Sequence, residues 1–210
     1  MSDSNILVLD IGAGNIHAIN NILKKANISF NVGASLSDFK MASHIILPGV
    51  GGYEEFMSKL NDAHLLENLR NFHESFPDKF LLGICIGMQV LGNNSEEGGG
   101  DGLGLISGVV KKIEHEENIK IPHMGWNSII PKKPANSILD NINFDLGFYF
   151  LHSYYFDLTN SLNCIAEFSY YKNYPALVNQ GNVFGMQGHP EKSHDNGIQL
   201  IKNFCTLSNG

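Results

Sequence analysis

The stretch Phe80–Gly92, FLLGICIGMQVLG, runs apolar into one cysteine, Cys85, held between Gly83 and Gly87. A short apolar run bounded by turn residues reads as a strand buried on both faces. GMQVLG then begins a helix. Strand, Gly-x-Cys-x-Gly, helix is the arrangement of a nucleophile elbow with cysteine in place of serine. The glycines permit a sharp turn and close packing of helix on strand. The thiol would then leave the sheet at its carboxyl edge, where open α/β folds bind ligands, at a helix N-terminus whose field favours thiolate. An isolated cysteine is more often a small buried hydrophobe, so this reading needs support from the rest of the chain.

Working outward, NILVLD (5–10), ISFNVG (28–33) and HIILPG (44–49) read as further short strands. Between the first two, Ile16, Ile19, Ile22, Leu23 and Ala26 recur at helical spacing. Helical segments follow near Tyr53–Leu60 and Leu65–Phe72. Alternation of this kind implies parallel strands with helices on both faces. In the second half GWNSII, GFYFLHSYYF, NCIAEFSY, PALVNQ and NVFGMQ are strand-like and partly antiparallel, and SHDNGIQLIKNFCTL (193–207) closes as a helix capped by Ser193, with Ile198, Ile201, Phe204 and Cys205 inward. EEGGGDGLGL (96–105) reads as a mobile surface loop, too short to link domains. The expected fold is a single α/β domain over 1–210, with a mixed, mostly parallel sheet flanked by helices and antiparallel strands in its second half.

The chain has 210 residues, 43% of them hydrophobic, a formal net charge of −7 and a single arginine, Arg70. No basic cluster is available to neutralise phosphates, so nucleic acid is not an expected partner. No apolar run approaches the ~20 residues of a membrane span. Three widely spaced cysteines, Cys85, Cys164 and Cys205, form no disulfide framework. With no secretion signal at MSDSNILVLD, a cytoplasmic location is expected.

A nucleophilic cysteine needs a base, and the base needs an orienting acceptor. MQGHPEKS (186–193) offers His189 and Glu191, two apart at the expected end of a strand and therefore on one face. The other eight histidines read as surface or satisfied core positions. LPGVGGY (47–53) ends a strand in glycines. It is a tight turn, or a loop whose N–H groups turn toward a developing oxyanion. DIGAGN lacks the third glycine of a dinucleotide fingerprint, and no phosphate-binding loop is present. Neither cofactor nor metal is expected.

Cysteine elbow, glycine loop and His-x-Glu, in that order, resemble the class I glutamine amidotransferases. PHMGWN (122–127), FLHSYY (150–155), PGVGGY and HPEKS look like the glutaminase subunits of imidazole glycerol phosphate synthases within that class. The resemblance implies a flavodoxin-like fold and hydrolysis of glutamine to glutamate and ammonia. Cys85 would be the nucleophile, His189 the base and Glu191 its orienter. Val50, once its loop rearranges, and Ile86 would hold the oxyanion through their N–H groups. Gly51, Gln89, Glu97, Ser153 and Tyr154 would contact glutamine. Ammonia would pass to a (β/α)8-barrel cyclase subunit in a heterodimer for histidine synthesis, with Asn15, Trp126, Tyr149 and Lys192 at or near that interface. Two positions depart from the family: Ile11 stands where tyrosine is frequent, and Gly188 where an aromatic usually precedes the histidine. Related subunits feed a partner that amidinates surface-polysaccharide sugars. The residues alone also fit a partner-independent cysteine hydrolase, while the intact cysteine, histidine and glutamate argue against a binding module that keeps the fold without the chemistry.

Overall fold

Apolar runs too short for helices, separated by amphipathic segments, bury themselves only as a layered sheet. The computed structural model describes residues 5–115, 119–133 and 135–208. Its first half contains β1 (Ile6–Leu9), α1 (Ile16–Lys25), β2 (Phe30–Gly33), α2 (Leu36–Met41), β3 (His44–Gly49), α3 (Tyr53–Asp62), α4 (Leu66–Arg70), α5 (Phe72–Ser75), β4 (Phe80–Cys85) and α6 (Ile86–Gln89). Its second half contains β5 (Asn94–Ser95), β6 (Gly108–Lys112), β7 (His123–Asn127), β8 (Ile130–Pro131), β9 (Phe148–His152), β10 (Tyr154–Leu158), β11 (Cys164–Tyr170), β12 (Lys172–Gln180), β13 (Val183–Met186) and α7 (His194–Cys205).

Eight strands form one sheet in the order β2-β1-β3-β4-β13-β12-β11-β8. The first five are mutually parallel, in the doubly wound order that crosses over between β1 and β3. β12, β11 and β8 then run antiparallel to their neighbours. β1, β3, β4 and β13 are buried along their whole length, which is why they read as continuous apolar runs without alternation. β3, β4 and β13 lie side by side, so the segments leaving their carboxyl ends converge. Those segments are the glycine loop, the cysteine elbow and the His-x-Glu.

Several sequence expectations are corrected. GFYFLHSYYF is two strands that part at Ser153: β9 pairs with β7, and β10 with β6 in a separate three-stranded sheet. Leu65–Phe72 is divided between two short helices, α4 and α5. The glycine-rich stretch is surface only in its first part. From Gly102 it is bonded along the end of α6, with Leu103 N–H to Val90 O at 2.8 Å and Leu105 N–H to Leu91 O at 2.8 Å, and both leucines are buried. Ser193 precedes α7 but does not cap it; its hydroxyl donates to the His189 carbonyl at 2.6 Å and accepts from Tyr149 N–H at 3.0 Å. Ile198 is half-buried, whereas Ile201, Phe204 and Cys205 face inward as expected.

Candidate active site

Cys85 ends β4 with φ 55° and ψ −111°, a backbone conformation L-residues rarely adopt. Such strain costs on the order of 1–3 kcal/mol and persists only where the surroundings enforce it. Here the two glycines enforce it. A Cβ on Gly83 would strike the Gly87 carbonyl, and one on Gly87 would strike the Leu47 carbonyl of β3. Only glycine lets α6 sit this close to two strands. Cys164 and Cys205, by contrast, are buried thiols pushed up to about 12 by desolvation, with no base beside them.

His189 and Glu191 do not share a strand face. β13 stops at Met186, and Pro190–Lys192 form a 3-10 turn. The turn brings the pair together all the same: Nδ1–H of His189 donates to Glu191 Oε1 at 2.8 Å, with both side chains about 4% and 3% exposed. The backbone of His189 is fixed by its N–H to the Tyr149 carbonyl at 2.8 Å and by Ser193 on its own carbonyl. Burial alone would push the imidazolium pKa down. The Cys85 sulfur and the Glu191 carboxylate, as acceptors and as negative charges, outweigh it and hold His189 at about 10. A proton therefore resides on His189 at neutral pH. Nε2 of His189 is buried and has no hydrogen-bond partner of good geometry.

The two candidate oxyanion donors are in different states. Ile86 is the first residue of α6, so its N–H has no acceptor within the helix. The Val50 N–H is already bonded, to the Ala13 carbonyl at 2.9 Å. Gly49 lies hard against α6, where a Cβ would strike the Gly87 backbone nitrogen of that helix and also approach Phe56 Cε2 of α3 to 2.8 Å. Gly51, at φ +102°, has open space around it. The Val50 N–H belongs to the Gly49–Val50 peptide, so turning it from Ala13 must be absorbed at the Gly49 and Val50 backbone, with open space beyond it at Gly51.

A cavity of about 480 Å³ opens here, within the usual range for small-molecule sites. Cys85, His189, Val50, Ile86, Gly51, Gln89, Glu97, Ser153, Tyr154 and Lys192 all line it, and Glu191 stands behind His189. Gln89 donates through Nε2 to the Tyr154 carbonyl at 3.2 Å, and its Oε1 is a buried acceptor with no partner. The Glu97 carboxylate accepts from Tyr53 N–H at 3.2 Å, at the first turn of α3.

Two residues escaped the sequence reading. Gln187 is wholly buried with Nε2 3.9 Å from Cys85 Sγ. His152 lines the cavity, donates through Nδ1 to Tyr154 O at 2.7 Å and accepts at Nε2 from His123 Nδ1 at 3.0 Å. Desolvation lowers His123 to about 4 and His152 to about 3, so both stay neutral. A polar residue two before a histidine carries no local signal of direction, and nothing in the sequence around His152 separates it from the other histidines that read as surface or satisfied core positions. No group of three or more His, Cys, Asp or Glu side chains among the described residues is placed to hold a metal ion.

Trp126, Tyr149 and Lys192 lie outside the reacting groups but join one surface. Trp126 and Tyr149 are cross-strand partners in β7 and β9, and Lys192 Nζ sits 5.3 Å from the Tyr149 ring centroid. Trp126 stacks on His194 with ring centroids 5.4 Å apart and is 43% exposed; Met124, two residues along the same strand face, is 63% exposed. Asn15 begins α1, which packs on the 190–192 turn.

The family model described as "Glutamine amidotransferase class-I" matches residues 7–207. The chain is 38% identical over 205 residues to the imidazole glycerol phosphate synthase subunit HisH of Leptospira borgpetersenii, covering 95% of this chain and 98% of that protein. It is 39% identical over 206 residues to the subunit of the same name from Bdellovibrio bacteriovorus, covering 96% and 100%. A solved structure of PurLQS from Thermotoga maritima superposes with a TM-score of 0.71 at 18% identity, covering 96% of this chain and 97% of that one.

Proposed function

The chain belongs to the class I glutamine amidotransferases, and from that premise we propose that it is the glutaminase subunit of an imidazole glycerol phosphate synthase. It hydrolyses glutamine to glutamate and ammonia and hands the ammonia on for histidine synthesis. Residues 1–210 act as one glutaminase domain, a reading supported by the eight-stranded sheet that runs through both halves. Among the described residues no helix is long and apolar enough to cross a membrane, and we place the activity in the cytoplasm.

The chemistry follows from the site. Cys85 Sγ attacks the side-chain amide carbon of glutamine, and the amide oxygen becomes an oxyanion. Ile86 N–H donates to it, joined by Val50 N–H once that peptide turns from Ala13. The carbon–nitrogen bond breaks as His189 gives its proton to the leaving ammonia. Water then adds to the thioester and gives a proton to His189; sulfur leaves, and glutamate is released. Glu191 holds His189 in the tautomer and orientation both steps need. Gln89 Oε1, an unpaired buried acceptor facing the cavity, takes an N–H of glutamine, and Glu97 takes its α-ammonium. Gly51, Ser153 and Tyr154 supply the remaining contacts along the wall.

The partner is a (β/α)8-barrel cyclase in a heterodimer. It covers Trp126, Tyr149, Lys192 and Asn15, and the exposed Met124 and Trp126 give that surface an apolar centre beside the cavity. No nucleic acid or membrane takes part.

One observation carries this reading: a cysteine on a strained elbow shares one cavity with a histidine locked to a buried carboxylate. Incubation with a glutamine-mimicking electrophile, followed by peptide mass mapping, tests it. Modification of Cys85 that glutamine protects against is the expected result. Modification elsewhere, or none, would overturn it. Ammonia-dependent formation of imidazole glycerol phosphate with the co-purifying chain then tests the acceptor; an amidinated sugar as product would redirect the assignment.

A further inference from the structure

Beneath the cavity, two buried glutamines are joined in a way the glutaminase scheme leaves unused. Gln187 Oε1 accepts from Gln89 Nε2 at 3.0 Å, and Gln187 Nε2 lies 3.9 Å from Cys85 Sγ. The direction of both amides is imposed from outside the pair. A backbone carbonyl only accepts, so Tyr154 O at 3.2 Å fixes which end of Gln89 is nitrogen. That nitrogen also faces Gln187, so Gln187 must offer it oxygen and turn its own nitrogen to the sulfur. Tyr154 O is itself pinned by His152 Nδ1, and His152 by His123. Gln187 is further held by its backbone N–H to the Ala176 carbonyl at 2.9 Å.

We propose that Gln187 is a positioning residue for the nucleophile: its side-chain N–H holds the Cys85 sulfur and favours its negative form, in a direction set through Gln89 by the Tyr154 carbonyl. This rests on Cys85 being the nucleophile. A donor at 3.9 Å is a weak partner for a neutral thiol and a better one for a thiolate, because hydrogen bonds to ionised groups are shorter and stronger. Substrate that engages Gln89 Oε1 therefore presses on a side chain one bond away from the sulfur's own donor. The link explains why a fully buried polar side chain sits at this position, where an apolar residue would pack at less desolvation cost.

The test is the pH dependence of Cys85 alkylation by iodoacetamide, read by peptide mapping on the full chain, for the parent, Gln187→Met and Gln187→Asn. Methionine keeps the volume and removes the donor; asparagine keeps the amide and withdraws it by one methylene. His189, His152, Tyr154, Glu97 and Lys192, the other titratable groups around the cavity, are common to all three. The midpoint is expected to rise by about half to one pH unit in each variant, with kcat for glutamine about three- to tenfold lower and KM within about twofold. Unmoved midpoints in both variants, whatever their melting temperatures, would overturn the proposal. A parent chain that does not alkylate at Cys85 would instead overturn the nucleophile assignment beneath it.

Discussion

The Val50 N–H is bonded to the Ala13 carbonyl at 2.9 Å while Val50 itself lines the cavity that holds Cys85. One oxyanion donor is therefore committed elsewhere in an otherwise assembled site. The isolated chain is expected to hydrolyse glutamine slowly and to accelerate by about 10²–10³-fold when a liganded cyclase partner turns that peptide, the range associated with one oxyanion donor. Steady-state glutamate release with and without the partner measures it. Equal turnover in the two conditions would show that the Val50 amide does not limit the reaction.

Cys85→Ser is expected to lower turnover by about a thousandfold or more while leaving the melting temperature close to that of the parent. Serine fits the same elbow, so the strained backbone is unchanged, but its hydroxyl is far harder to ionise than a thiol. Retained glutaminase activity above background would remove Cys85 from the mechanism.

The first part of this site was legible because its demands are local. An elbow needs glycines two before and two after the nucleophile, and Gly83 and Gly87 stand there. His189 and Glu191 were found through a strand that does not exist at that point; the 3-10 turn at Pro190–Lys192 brings them together by a different geometry. Gln187 and the tie between Val50 and Ala13 were not legible. Each depends on a direction, of a side-chain amide or of a peptide plane, that segments far apart in sequence impose. The break at Ser153 was hidden because both strands beside it are apolar and aromatic, and only their partners, β7 and β6, separate them.

His189 gives the folded state an alkaline limit. Its pKa is raised from 6.5 to about 10, so folding favours the protonated imidazole. That contribution is complete below about pH 6.5 and is lost as pH rises toward 10. Between these values the melting temperature of the parent should fall more steeply than that of His189→Gln, which has no such proton to lose. Parallel slopes in the two proteins from pH 6.5 to 10 would contradict the raised value.

Trp126→Ala is expected to weaken association with the cyclase partner by about tenfold or more, the scale of an interface hot spot, and to change the melting temperature little. The indole is 43% exposed and rests on the His194 ring at its side, so its removal opens no cavity in the core. Titration calorimetry and a thermal melt separate the two effects. A large drop in melting temperature with unchanged affinity would return Trp126 to a packing role.

Gly188 immediately precedes the base His189, and its surroundings fix the sign of Gly188→Phe. A Cβ built there lies 2.7 Å from Met186 Cε, 3.2 Å from Phe148 Cβ and 3.3 Å from the Tyr149 carbonyl oxygen. The methionine end can move; the other two belong to β9 and cannot move cheaply. Overpacking of this kind costs about 1–3 kcal/mol, so the variant should melt below the parent. None of the three contacts is a reacting group, which supports a phenylalanine directed at the packing under β9 and not into the cavity. The one route to the chemistry is the Tyr149 carbonyl, which accepts the His189 N–H at 2.8 Å. His189 is also held at its carbonyl by Ser193 and at its ring by Glu191, so a small displacement of β9 leaves two anchors in place. Turnover of bound glutamine should therefore remain within about tenfold of the parent, or about 1.4 kcal/mol of barrier. Glutaminase kinetics beside a thermal melt decide it: a well-folded Gly188→Phe with collapsed turnover would mean that the Tyr149–His189 bond alone sets the position of the base.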